Sequence, residues 1–139
     1  MAGSKTILCI EDDHFISEMY TRALRNAGYE VTEIDTGANA VETAREGKFY
    51  LILLDLWIPE KNGMEVLREL RSEDGTGLPE TKIIITTNYA QDDQSRAALA
   101  AKADGYFIKA ELTPKKLVEI TKQLIGPAEN QLHFDSKAT

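Results

Sequence analysis

Residues 50–55 read Tyr-Leu-Ile-Leu-Leu-Asp, an apolar run that ends on a carboxylate. The run is too short for a helix and lacks polar alternation, which predicts a strand covered on both faces, as in a parallel sheet. Downstream, Pro59 and Asn62-Gly63 mark a loop, with Gly63 expected to meet a need for positive φ. Met64, Val66, Leu67 and Leu70 then share one helical stripe. Ser72 to Pro79 reads as a flexible connection, Lys82 to Thr87 as a strand and Gln91 to Lys102 as an alanine-rich helix. Gly105 to Ile108 is a short strand ending at Lys109. Thr113-Pro114 caps and opens a last helix with Leu117, Ile120, Thr121 and Leu124 inward.

Upstream, Thr36 to Gly47 reads as a short helix with Ala40, Val41 and Ala44 inward, and Tyr29 to Ile34 alternates like an edge strand. Phe15, Ile16, Met19, Tyr20, Ala23, Leu24 and Ala27 predict the buried stripe of a first helix, capped by Asp12 or Asp13 and ended by Gly28. Lys5 to Ile10 is the first strand. Five strands, each followed by a helix, imply right-handed crossovers and a doubly wound α/β domain with a parallel sheet.

The 139 residues suit one domain whose core buries roughly two thirds of the unfolded surface. The domain is expected over 1–126, followed by a polar tail at 127–139. Cys9, the single cysteine, excludes an intrachain disulfide and suits a reducing, cytoplasmic setting. A net charge of -7 disfavours a nucleic-acid surface. The longest apolar run, Phe49 to Leu54, is far short of the ~20 residues that span a bilayer. The N-terminal Met-Ala-Gly-Ser-Lys shows no signal-peptide pattern.

Doubly wound sheets carry their sites at the carboxyl ends of the strands. There stand Glu11-Asp12, Asp55, Thr87 and Lys109. Carboxylates brought to ~5 Å repel by roughly 3 kcal/mol per pair at an effective dielectric near 20, so they either take up protons or gather around a cation. Oxygen donors point to Mg²⁺ or Mn²⁺ rather than zinc. The metal, the Lys109 ammonium and the Thr87 hydroxyl can together hold the oxygens of a phosphoryl group accepted by Asp55.

These motifs resemble the receiver domains of two-component response regulators, from about Lys5 to Ile125. The resemblance rests on ILCIEDD at the first strand end, LILLDLWIPEKNG around Asp55, IIITTN at the fourth strand and ADGYFIK at the fifth. It implies a flavodoxin-like sheet of order 2-1-3-4-5 with five helices. Asp55 matches the phosphoacceptor, and Glu11 and Asp12 the acidic pair that places Mg²⁺, Asp12 being the direct ligand. The backbone carbonyl of Trp57 matches the third protein contribution to the metal. Thr87 matches the hydroxyl that moves to the phosphoryl group, chosen over Thr86 by its distance from the strand start. Lys109 matches the pairing lysine and Tyr106 the aromatic switch.

The resemblance also implies partners: a histidine kinase or histidine phosphotransfer protein as donor, and an effector reached by protein contact, with the chain a monomer or weak dimer. Self-phosphorylation and self-dephosphorylation at Asp55 would be its only reactions. Three positions depart from the family's usual pattern: Asn62 for aspartate, Asn88 for a small residue after the threonine, and Ala110 for the proline after the lysine. A cis bond before alanine is costly. Asn88 and Ala110 motivate an alternative, a receiver-like interaction module independent of phosphorylation. A phosphohydrolase with an aspartyl intermediate wants a second aspartate where Trp57 stands, and a dinucleotide-binding domain wants a glycine-rich first turn; the chain has neither.

Overall fold

The computed structural model describes residues 3–129. Along the chain run β1 (Thr6–Ile10), α1 (His14–Asn26), β2 (Glu30–Ile34), α2 (Ala40–Gly47), β3 (Leu51–Asp55) and α3 (Gly63–Leu70). β4 (Lys82–Thr87), α4 (Asp93–Ala100), β5 (Gly105–Ile108) and α5 (Pro114–Ile125) follow, with a short 3-10 turn at Lys109–Glu111. All strand pairs are parallel and the sheet order is β2-β1-β3-β4-β5, as expected.

Strand alternation divides the core in two. Ile7, Cys9, Leu51, Leu53 and Ile84 pack with Tyr20 and Leu24 of α1 and Leu117 of α5. Leu8, Ile10, Ile52, Leu54, Ile83 and Ile85 pack with α2, α3 and Leu99 of α4. β3 is buried at every position, in keeping with its unbroken apolar run. β2 lies at the edge and is partly exposed throughout.

Helix α1 departs from its expected stripe. Tyr20 and Leu24 are buried, but their buried companions are Ser17 and Thr21, whereas Phe15 is 88% exposed and Met19 39%. The helix is rotated toward the polar edge strand, where Ser17 Oγ donates to Glu33 Oε1 at 2.8 Å. A buried hydroxyl is tolerated there because it has an acceptor. The cap is Asp13, whose Oδ1 accepts from the backbone N–H groups of Phe15 and Ile16.

Gly63 is not at a positive φ; that conformation falls on Glu60 (φ 71) in the same loop. Gly63 provides space instead, since a Cβ there would stand 2.5 Å from the Asp55 carbonyl oxygen. The loop thus closes directly against the end of β3. At the other end, Lys5 N–H donates to Ala128 O, its Nζ donates to Ile125 O, and Ser4 bridges Glu129. Packing therefore continues to Glu129, and residues 130–139 of the expected tail lie outside the described residues.

The Ser72–Pro79 connection is tied down by Arg71. Its Nη1 donates to Leu78 O at 2.6 Å and Thr81 O at 2.8 Å, Nε to Lys102 O at 2.8 Å, and Nη2 to Asp104 Oδ2 at 2.9 Å. Asp104 Oδ2 also accepts from Ile83 N–H at the start of β4. Arg71→Ala is expected to lower unfolding stability by about 3 kcal/mol, because two half-buried carbonyls, an exposed one and a carboxylate lose their donor together. Urea denaturation measures this, and a loss below about 1 kcal/mol would mean that water replaces the guanidinium.

Candidate functional site

The carboxyl ends of β1 and β3 project acidic groups toward the α1–α5 side of the sheet. Asp55 continues the Leu51–Leu53 series, and Glu11 follows Ile7 and Cys9, so alternation directs both side chains to one face. Lys109, in the turn after β5, reaches between them. Its Nζ donates to Asp55 Oδ2 at 2.9 Å and Glu11 Oε2 at 2.9 Å, and lies 2.8 Å from Glu11 Oε1. Trp57 N–H donates to Asp55 Oδ1 at 3.1 Å, and Asp13 N–H to Glu11 Oε2 at 3.0 Å. Asp12 completes the group: one carboxylate oxygen from each of Glu11, Asp12 and Asp55 lies within 4.8 Å of the others. Glu11 and Asp55 are buried, and Asp12 is exposed.

Burial dominates the electrostatics. Desolvation pushes Glu11 up from 4.5 to about 7, against the hydrogen bond from Lys109 and with help from the Asp55 charge. Asp55 is raised for the same first reason, with Lys109 and the Trp57 N–H opposing. For Lys109 burial acts to lower the pKa, but the hydrogen bonds and charges of Glu11 and Asp55 outweigh it and leave it raised. One ammonium does not neutralise three carboxylates, so the folded site favours protons or another cation.

A pH dependence follows. Between pH 4.5 and about 7 the folded protein keeps a proton on Glu11 that the unfolded chain has released, so stability falls as pH rises. Without added metal, the protein is expected to be about 3 kcal/mol less stable at about pH 8 than at about pH 5. Urea midpoints in a chelator test this, with most of the slope expected to vanish in Glu11→Gln. A flat profile in the wild-type protein would contradict the burial argument.

Thr87 and Tyr106 are the residues expected to act as a switch. Thr87 is fully buried and continues the Ile83–Ile85 series, which packs on the α2–α4 face, while Thr86 is the register partner of Asp55. Thr87 Oγ1 accepts a long hydrogen bond, 3.5 Å, from Gln91 Nε2. Gln91 N–H in turn donates to the Tyr106 hydroxyl at 2.8 Å, and Tyr106 packs partly buried against the α2–α4 core. Gln91 thus joins Thr87 to Tyr106, a link that nothing in the local sequence signals. No cis peptide bond occurs among the described residues, so Lys109–Ala110 is trans. Trp57 is 59% exposed and Tyr89 77%, both on loops at this end of the sheet. His14 is exposed, with Nε2 3.6 Å from Asp35 Oδ2.

The profile of the response regulator receiver domain matches residues 7–122. The chain belongs to the receiver domain family. Similar curated proteins include the response regulator receiver protein CpdR of Brucella abortus, 40% identical over 86 residues, covering 62% of this chain and 68% of CpdR. TcrX of Mycobacterium tuberculosis, a probable transcriptional regulatory protein, is 35% identical over 75% of this receiver domain, which spans only 43% of TcrX. The sensor kinase CckA of Brucella abortus is 32% identical over 90% of this chain, a match that spans 13% of CckA.

Solved structures agree with this receiver fold. A CheY-like receiver domain protein from Methanospirillum hungatei superposes with a TM-score of 0.74 at 31% identity, covering 87% of this chain and 93% of the other. The receiver domain of the sensor histidine kinase PA1611 from Pseudomonas aeruginosa, with a magnesium ion coordinated in its active site cleft, gives 0.77 at 27% identity over 89% and 99%. Among the described residues no helix is long and apolar enough to cross a membrane.

Proposed function

We propose that Asp55 accepts a phosphoryl group from a histidine kinase or histidine phosphotransfer protein with Mg²⁺ bound, and that this receiver domain then signals in the cytoplasm by protein contact. The observation that carries this reading is the cluster of Glu11, Asp12 and Asp55, within 4.8 Å of one another and bridged by Lys109. The donor set fits magnesium: all oxygen, excess negative charge, and an exposed carboxylate beside two buried ones. Glu11 Oε1 is a buried carboxylate oxygen faced by Lys109 Nζ at 2.8 Å.

Asp12, Asp55 and the Trp57 backbone carbonyl would hold the cation, with Glu11 beside them. When bound, Mg²⁺ supplies positive charge to the carboxylates and to the oxygens of the transferring group. An Asp55 carboxylate oxygen attacks phosphorus, the bond from phosphorus to the donor imidazole nitrogen breaks, and that nitrogen leaves with the electron pair. Lys109 already touches Asp55 Oδ2 and is placed to donate to the charge that develops. Thr87 would turn its hydroxyl to a phosphoryl oxygen and release Gln91. Because Gln91 also donates to Tyr106, that release would pass to β5 and bias the surface of α4, β5 and α5.

Incubating the intact protein with Mg²⁺ and a small phosphodonor is expected to add one phosphoryl mass. No gain with the donor, nor with any phosphorylated histidine kinase tried, would overturn the proposal and leave the phosphorylation-independent interaction module in its place.

A further inference from the structure

Among the described residues three buried hydroxyls, those of Tyr20, Thr21 and Thr121, make no hydrogen bond. Tyr20 is 1% exposed, and its phenolic oxygen is buried without a hydrogen bond among the described residues. Glu11 Oε1 is buried too, but it is ion-paired with Lys109. Lys109 lies 2.8 Å from Oε1, but the hydrogen bonds from Lys109 and Asp13 N–H go to Oε2. A buried orphan costs about 1–3 kcal/mol, and few polar groups in native proteins remain so.

The two groups belong to one region of the fold. Tyr20 packs in the core shared by Ile7, Cys9 and Leu53, on the face toward which alternation directs Glu11. Helical side chains lean toward the helix N-terminus, and α1 begins three residues beyond Glu11. Side chains on the buried face of α1 therefore lean toward the end of the helix nearer Glu11. The pKa of Tyr20 is raised, first by burial and then by Glu11, Cys9 and Asp55. The phenol remains a donor throughout the neutral range.

We propose that Tyr20 is a positioning residue of the acidic site: its hydroxyl donates through one buried water to Glu11 Oε1 and holds that carboxylate for a bound divalent cation. The proposal rests on the cation-site reading given above. Groups that hydrogen-bond to metal-site carboxylates fix their orientation, and losing them typically lowers metal affinity 10–100-fold.

Mg²⁺ titration of the intact protein, followed by calorimetry and by the fluorescence of Trp57, the single tryptophan, provides the test. Tyr20→Phe is expected to bind Mg²⁺ about tenfold more weakly than wild type. Its urea midpoint without metal should stay close to the wild-type value, because the buried ring and its packing are kept. In a Glu11→Gln background the same substitution should have no effect on Mg²⁺ affinity. Unchanged affinity in Tyr20→Phe, or a loss that persists in the Glu11→Gln background, would overturn the role of Tyr20 and leave the cation site standing. Absence of Mg²⁺ binding by the wild-type protein would overturn the cation site and this inference together.

Discussion

Asp55→Asn is expected to gain no phosphoryl mass where the wild-type protein gains one, and yet to unfold at a higher urea concentration near neutral pH. The first effect follows from the loss of the carboxylate oxygen that the fold holds against Lys109 at the end of β3. An amide oxygen is far too weak a nucleophile to attack phosphorus, so the loss should be complete rather than partial. The second effect follows from the raised pKa of Asp55, caused first by burial. A carboxyl that titrates higher in the folded state is less favourable when ionised, so a neutral isostere removes that penalty. Intact mass and urea unfolding on one sample read both outcomes. Phosphoryl uptake by the variant would place the acceptor elsewhere, and a lower urea midpoint would mean that the Lys109 contact outweighs the cost of burying the charge.

The second large effect is on Lys109. Lys109→Met keeps the aliphatic stem but removes the ammonium that contacts Glu11 and Asp55, both at most 3% exposed. Breaking a buried ion pair from one side costs about 3–5 kcal/mol, so a loss of about 4 kcal/mol is expected near pH 8. At about pH 5 most of that loss should disappear, since the raised pKa of Glu11 lets it take up a proton in place of the lost partner. Added Mg²⁺ should also recover stability, because a divalent cation offsets the same charge. Equal losses at the two pH values would show that Lys109 contributes through packing of its stem.

Much of the site could be read from residue order because each member ends a strand. In a parallel sheet the strand ends share one edge, so Glu11-Asp12, Asp55 and Lys109 had to approach one another once the five apolar runs were recognised as strands. The orientation of helix α1 was less legible. Phe15 and Met19 look like core members by spacing, yet they are exposed, because Ser17 finds an acceptor in Glu33 on a neighbouring strand that periodicity does not identify. Gly63 shows the same limit: its need is clearance from the Asp55 carbonyl, which is a tertiary contact and leaves no local signature.

Residue order alone determined the parallel α/β sheet, the edge on which the acidic and basic groups gather, and the oxygen-rich chemistry of that edge, because these depend on periodicity and on side-chain type. Only the tertiary structure decided that Lys109 lies between Glu11 and Asp55, that Gln91 links Thr87 to Tyr106, and that the Tyr20 hydroxyl is buried without a hydrogen bond among the described residues. Such distances arise from how α1, α5 and the loops pack on the sheet. Packing is set by contacts between residues far apart in the chain, which a local pattern does not encode.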